Sequence, residues 1–115
     1  MTTERANPGP YMEHFQLSEQ ATNGAAKVMV SGEIDLAAVL PLQELLFGTM
    51  NGPSSTTEVD LGNVSFMDAS GITALIRADD KARDVGGRLH LSHVPERVFR
   101  LLRIFDLDRR FTILT

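Results

Sequence analysis

Residues 59–71, VDLGNVSFMDASG, change period within a few positions, and that change constrains the fold more than any other feature. Over Thr56–Leu61 the residues alternate, with Val59 and Leu61 pointing one way, which is the two-residue repeat of a strand. From about Ala69 to Val85 the apolar residues Leu75, Ala78, Ala82 and Val85, with Ile72 and Ile76 beside them, recur at helical spacing. A short link separates the two patterns, so the chain passes from strand into helix at Asp68-Ala69-Ser70-Gly71. A strand that feeds a helix and is followed by another strand implies parallel pairing, with helices as the crossovers.

The rest of the chain repeats this alternation. His14–Ser18 reads as a short strand, Glu19–Ala25 with Asn23-Gly24 as the turn of a hairpin, and Ala26–Glu33 as its second strand, with Val28, Val30 and Gly32 on one face. Ala38, Leu42, Leu45, Leu46 and Thr49 form the stripe of a first helix. Pro41 fits that helix only within its first turn, which puts the start near Ala37 or Ala38; Asn51-Gly52-Pro53 stops it. The second helix, from about Ala69, shows Asp79, Asp80, Lys81, Arg83 and Asp84 to solvent and is capped by Gly86-Gly87. Arg88–Ser92 is a strand. Pro95 starts a third helix with Val98, Leu101, Leu102 and Phe105 as its stripe, and Phe111–Leu114 is either a last strand or an extended tail. Residues 1–12 read as a flexible N-terminal tail, because Pro8-Gly9-Pro10 opposes regular structure, and 13–115 as one domain. The expected fold is α/β: a small single domain with a mixed sheet of four to five strands and helices packed against it.

At 115 residues the chain has the length for one core, and 43% apolar with 23% charged residues is the composition of a globular protein. Cysteine is absent, which excludes disulfides, zinc–thiolate sites and thiol catalysis. The formal charge of −4 argues against nucleic acid. Arg97, Arg100 and Arg103 recur along the third helix, with Arg109 and Arg110 beyond, but no aromatics interleave; a solvated face is the simpler account. No apolar run approaches the roughly 18 residues of a membrane span, and residues 1–12 lack the apolar core of a secretory signal, so a cytoplasmic location and no membrane partner are expected.

Phosphate loops, dinucleotide fingerprints and nucleophile elbows are all missing. Ser70 has an acidic neighbour, Asp68, but no histidine in a motif that would make it a nucleophile. His90 and His93 stand three apart with no acidic residue spaced to complete a metal site. No catalytic residue, metal or cofactor is therefore expected, and the chain reads as a substrate or binder rather than an enzyme. The strand-to-helix junction offers a small hydroxyl at a helix N-terminus, where free N–H groups and the dipole favour negative charge. A phosphate on Ser70 would meet those donors, which suits a modification switch; equally, Asp68 or Ser70 simply caps the helix. Glu33 and Asp35 end an earlier strand on the same sheet edge, where ligands and partners of parallel sheets gather, and Asp35 is equally placed to cap the first helix. Gly71 is expected to serve access to Ser70 more than folding.

The Met67–Gly71 stretch resembles the central motif of the STAS domain of bacterial anti-sigma factor antagonists, where a strand leads into Asp-Ser-Ser-Gly and then a helix. Gly32-Glu33-Ile34-Asp35 resembles the second recurring motif of that family. Phe105-Asp106-Leu107 and Phe111–Leu114 also stand where its members have similar residues, so the resemblance runs from about residue 13 to the C-terminus. It implies a STAS-like fold and a phosphoacceptor at the serine before the glycine, Ser70. Ala69 stands where members commonly have a first serine, which leaves a single acceptor, and Thr56 and Thr57 open a strand usually begun by aliphatics. The partner-binding surface implied comprises Glu33, Asp35, Asp68, Ala69, Ser70, Gly71 and Ile72. The implied activity is antagonism of an anti-sigma factor. The unphosphorylated protein binds an anti-sigma factor that is also a serine kinase and so frees a sigma factor; phosphorylation of Ser70 switches binding off, and a serine phosphatase resets it. The alternative is a STAS scaffold or accessory domain in a stress-signalling or transporter complex without a phospho-switch. A small nucleotide-binding protein using the Asp35–Ser70 edge would need a phosphate loop that the sequence does not contain.

Overall fold

The change of period at residues 59–71 becomes a strand running directly into a helix, and the same unit recurs along the chain. The computed structural model describes residues 2–5, 14–22 and 24–114. In chain order these form β1 (Thr2–Arg5), β2 (Phe15–Thr22), β3 (Ala25–Ile34), α1 (Leu36–Gly48), β4 (Thr56–Met67), α2 (Ala69–Asp84), β5 (Arg88–Ser92), α3 (Glu96–Ile104) and β6 (Thr112–Leu114). All six strands lie in one mixed sheet in sequence order. β1–β2 and β2–β3 pair antiparallel, whereas β3–β4, β4–β5 and β5–β6 pair parallel.

Alternation puts Val28, Val30 and Ile34 of β3, Val59 and Leu61 of β4, and Leu89 and Leu91 of β5 into the core, where they meet Leu42 and Leu46 of α1 and Leu75, Ala78 and Ala82 of α2. α1 and α2 pack side by side over these strands. The opposite face carries Lys27, Met29, Ser31, Glu58 and Asp60, all at least partly exposed, so one face of the sheet is core and the other polar.

Four sequence expectations shift. The hairpin turn is shorter than Glu19–Ala25, because β2 continues to Thr22 and β3 begins at Ala25; Glu19 and Gln20 are strand residues paired with both β1 and β3. Thr2–Arg5, expected in a tail, adds an edge strand and takes the sheet beyond five strands; residues 6–12 lie outside the described residues. α1 begins at Leu36, so Pro41 falls in its second turn, where the backbone of Ala37 forgoes one helical hydrogen bond. β4 runs on to Met67, since two irregularities in its pairing with β3 each insert an extra β4 residue: Met29 and Ser31 pair with Asp60 and Asn63, and Gly32 and Glu33 pair with Val64 and Phe66. The buried positions Leu61, Val64 and Met67 are therefore spaced by three, which hides the strand from a search for strict alternation.

The departure at Thr57 has a structural use. Thr57 is fully buried, and its hydroxyl lies 2.6 Å from that of Thr49, which itself donates to the Leu46 carbonyl at 2.6 Å. Thr49 has one hydroxyl hydrogen, so Thr57 must be the donor between them, and both polar groups are satisfied at the end of α1.

Asp79 corrects the expected wet face of α2: it is 5% exposed. Its Oδ2 receives Arg83 Nη2 and Arg110 Nε, each at 3.1 Å, while Arg110 also binds Asp80 and Arg83 donates to the Arg110 carbonyl at 3.2 Å. Burial alone would lower the Arg110 pKa, but the hydrogen bonds to Asp80 and Asp79 raise it above its ordinary value. This clasp ties the turn before β6 to α2 and seats Phe111 in the core. Phe105, expected in the α3 stripe, is 48% exposed, and Val98 and Leu102 alone of that stripe are fully buried. Asp79→Ala removes the buried acceptor that Arg83 and Arg110 share, leaving Arg110 only Asp80, and should cost about 2 kcal/mol, whereas Asp84→Ala on the exposed face should change stability by less than about 0.5 kcal/mol. Urea denaturation of both variants checks the contrast, and equal midpoints would refute the clasp.

Candidate functional site at the β3 and β4 ends

The parallel ladder brings the two sequence motifs together, because Ile34 pairs with Met67 and the Asp68 N–H donates to the Ile34 carbonyl at 3.3 Å. Each strand then passes into a helix through an aspartate in extended conformation. Asp35 Oδ1 accepts from the Ala37 N–H at 3.0 Å, and Asp68 Oδ1 accepts from the Ser70 N–H at 2.8 Å. Both acids are therefore N-caps of the kind that satisfies an orphan donor of the first turn. That answers the capping question left open by the sequence: Asp68 caps α2, and Asp35 caps α1 while still half-exposed at the edge.

Ser70 is consequently released from capping. It stands in the first turn of α2, half-buried, and its hydroxyl has no hydrogen-bond partner among the described residues. Thr73, one turn on, differs, since its hydroxyl donates to the Ala69 carbonyl at 3.0 Å. Most of the expected cradle for a phosphate is already taken. Asp68 occupies the Ser70 N–H, and the Asp68 carbonyl receives the Gly71 and Ile72 N–H groups at 3.1 and 3.3 Å. A phosphate on Ser70 would stand beside the Asp68 carboxylate and face outward, on an edge that also carries Glu33 and Asp35.

Glu33, Asp35, Asp68, Ala69 and Ser70 all reach the surface at this edge. Two expected surface residues do not. Ile72 is 3% exposed and belongs to the core, and Gly71 is buried. A Cβ on Gly71 would lie 2.6 Å from Met67 Cγ, 3.0 Å from Ile34 Cγ2 and 3.1 Å from the Ile34 carbonyl oxygen. The glycine thus lets α2 start directly against the β3–β4 ends, and the access role expected for it gives way to a packing role. Gly32, in the other motif, has φ +88° and lies so close to β2 that a Cβ would overlap the His14 carbonyl, which accepts the Glu33 N–H at 2.8 Å.

Three apolar residues that the sequence reading passed over flank this edge: Leu36 and Leu40 on α1, 76% and 62% exposed, and Phe66 near the end of β4, 47% exposed. Leu36 and Leu40 are four apart and lie off the Ala38–Leu42–Leu45–Leu46 stripe, which was the signal available for them. Large exposed apolar side chains grouped with polar neighbours mark sites of protein association.

The family described as "Mlab, STAS domain" matches residues 17–115. The intermembrane phospholipid transport system binding protein MlaB of Escherichia coli is 32% identical over 78 residues, covering 68% of this chain and 77% of its own. An anti-sigma-B factor antagonist of Staphylococcus epidermidis is 31% identical over 81 residues, covering 70% of this chain and 75% of its own. The structure of the anti-sigma factor antagonist SpoIIAA in its unphosphorylated form superposes with a TM-score of 0.71 at 24% identity, covering 88% of each chain.

Gly71→Ala gains about 1 kcal/mol of helix propensity but forces the junction apart, so a net loss on the order of 1 kcal/mol is expected, and Gly71→Val should lose more. A thermal melt in which either variant is more stable than wild type would contradict the packing role. With the sequence motifs, the fold and its relatives in agreement, the chain belongs to the STAS-domain family, with anti-sigma factor antagonists among its relatives.

Proposed function

We propose that this protein is an anti-sigma factor antagonist whose Ser70 is a phosphorylation switch. It acts as a binder and kinase substrate, not a catalyst. The observation that carries the reading is the division of labour at the α2 start: Asp68 takes the capping role, leaving the Ser70 hydroxyl unengaged at a surface flanked by Leu36, Leu40 and Phe66. In the unmodified state that edge would dock an anti-sigma factor that is also a serine kinase, freeing a sigma factor. Phosphorylation adds roughly 1.5 to 2 negative charges where the N–H groups of Ser70, Gly71 and Ile72 are already engaged, so the new charge would have to be desolvated against the partner. A loss of only about 2.7 kcal/mol weakens a complex a hundredfold, enough for a switch that a serine phosphatase resets.

The similarity to MlaB favours a second reading, in which the same edge docks a component of a lipid transport system without a phospho-switch. The two readings part at Ser70. Ser70→Ala should keep the fold and bind the purified anti-sigma factor as wild type does, because the cap is Asp68. Ser70→Asp should also fold, since a negative charge at a helix N-terminus is tolerated, yet weaken the complex at least tenfold by calorimetry. After incubation with the partner kinase and ATP, intact mass and peptide mapping should place one phosphate on Ser70, not on Ser65 or Thr73. Equal binding by all three forms, with no phosphate on Ser70 and co-purification with a transport complex, would hand the assignment to the second reading.

A further inference from the structure

A cleft of about 500 Å³, within the size range of small-molecule sites, opens on the polar side of the sheet and shares no residue with the Ser70 edge. Val94, Phe99, Ile113 and Leu114 line it with apolar surface, and Glu58, Ser92 and His93 supply its polar groups. The carboxylate is held in place. Glu58 Oε2 accepts from the Ser92 hydroxyl at 2.6 Å, and Ser92 is 3% exposed, so the hydroxyl is fixed by its surroundings. Glu58 Oε1 has no hydrogen bond or ion pair among the described residues. Lys27 Nζ is 3.7 Å from both Glu58 Oε2 and Asp60 Oδ2, and His93 Nδ1 is 3.3 Å from Asp60 Oδ2. One lysine thus faces two carboxylates beside an apolar wall that includes an aromatic ring.

We propose that this cleft binds a small organic cation with an apolar body, of the alkyl- or arylammonium class. The ammonium would donate to Glu58 Oε1, where a charge-assisted hydrogen bond is stronger than a neutral one, and the hydrocarbon would cover Phe99, Ile113 and Leu114. Phe99 adds a ring face that attracts a cation. An anion of the same shape meets Glu58 and is repelled.

The test is a heteronuclear NMR titration with phenethylammonium, run beside phenylpropanoate and benzyl alcohol of similar shape. The cation should give saturable shifts at the amides of Glu58, Ser92, His93, Val94, Phe99 and Leu114, with a weak affinity on the order of millimolar, as suits so small a probe. Glu58→Gln should weaken it about tenfold while leaving the spectrum of a folded protein. Leu114→Lys, at a residue 39% exposed, supplies an independent check, since a cation at the mouth should also repel the probe. Equal binding of the cation and the carboxylate, or indifference to both substitutions, would overturn the role of Glu58. Absence of saturable shifts would overturn the site.

Discussion

The structure depends on the parallel pairing of β3 with β4. That ladder carries the two pairing irregularities that turn Val64 and Met67 inward, and it ends with the Asp68 N–H on the Ile34 carbonyl. Because the strands finish side by side, α1 and α2 start side by side, each from a capping aspartate one residue past its strand. Gly71 makes the arrangement possible at close range: a side chain there would fill the space between Ile34 and Met67. Shifting the register by one residue would send the buried set of β4 to the polar face and pull the two aspartates apart.

That junction also sets how the proposed switch would act. The N–H groups of Ser70, Gly71 and Ile72 are engaged by Asp68, so Ser70 is left to the surface and a phosphate would find few donors in its own helix turn. Under the proposed function, a phosphate there would alter the charge presented to a partner and leave the fold as it is. This differs from switches in which a phosphate orders or melts its own segment by recruiting cations. The exposed leucines of α1 fit the same logic, because a rigid apolar surface beside a variable charge can be strongly bound in one state and not in the other.

On the other side of the sheet the polar residues are organised rather than merely solvated. Lys27, Glu58, Asp60, Ser92 and His93 form a connected group across β3, β4 and β5. Exposed ion pairs of this kind contribute little stability singly. Their effect is to fix the position of side chains along the rim of the cleft beside α3 and β6. The Asp79 clasp acts on the same region from the core side, holding the turn that precedes β6 against α2.

Much of this was legible in the residue order, because periodicity and capping chemistry are local. The stripes Ala38–Leu42–Leu45–Leu46 and Leu75–Ala78–Ala82, the strand Arg88–Ser92, and the start of α2 at Ala69 all lie where the pattern puts them. The placement of Glu33, Asp35 and Ser70 on one edge also followed, since strands that alternate with helices in a parallel sheet end on the same side. What the sequence could not determine depended on contacts between distant residues. Asp79 stands four residues after Leu75 and three before Ala82, on the buried stripe, and only the return of Arg110 supplies the partner that lets a carboxylate stay there. Asp68 and Ser70 are both good caps, and the strand-end geometry chooses the aspartate. Gly71 reads as giving access to Ser70 until Ile34 and Met67 close around it, and the second half of β4 is disguised because its inserted residues are defined only against β3. Local propensity determined the elements of this protein; long-range packing decided which polar groups were left over for function, because burial and hydrogen-bond satisfaction are properties of the assembled fold.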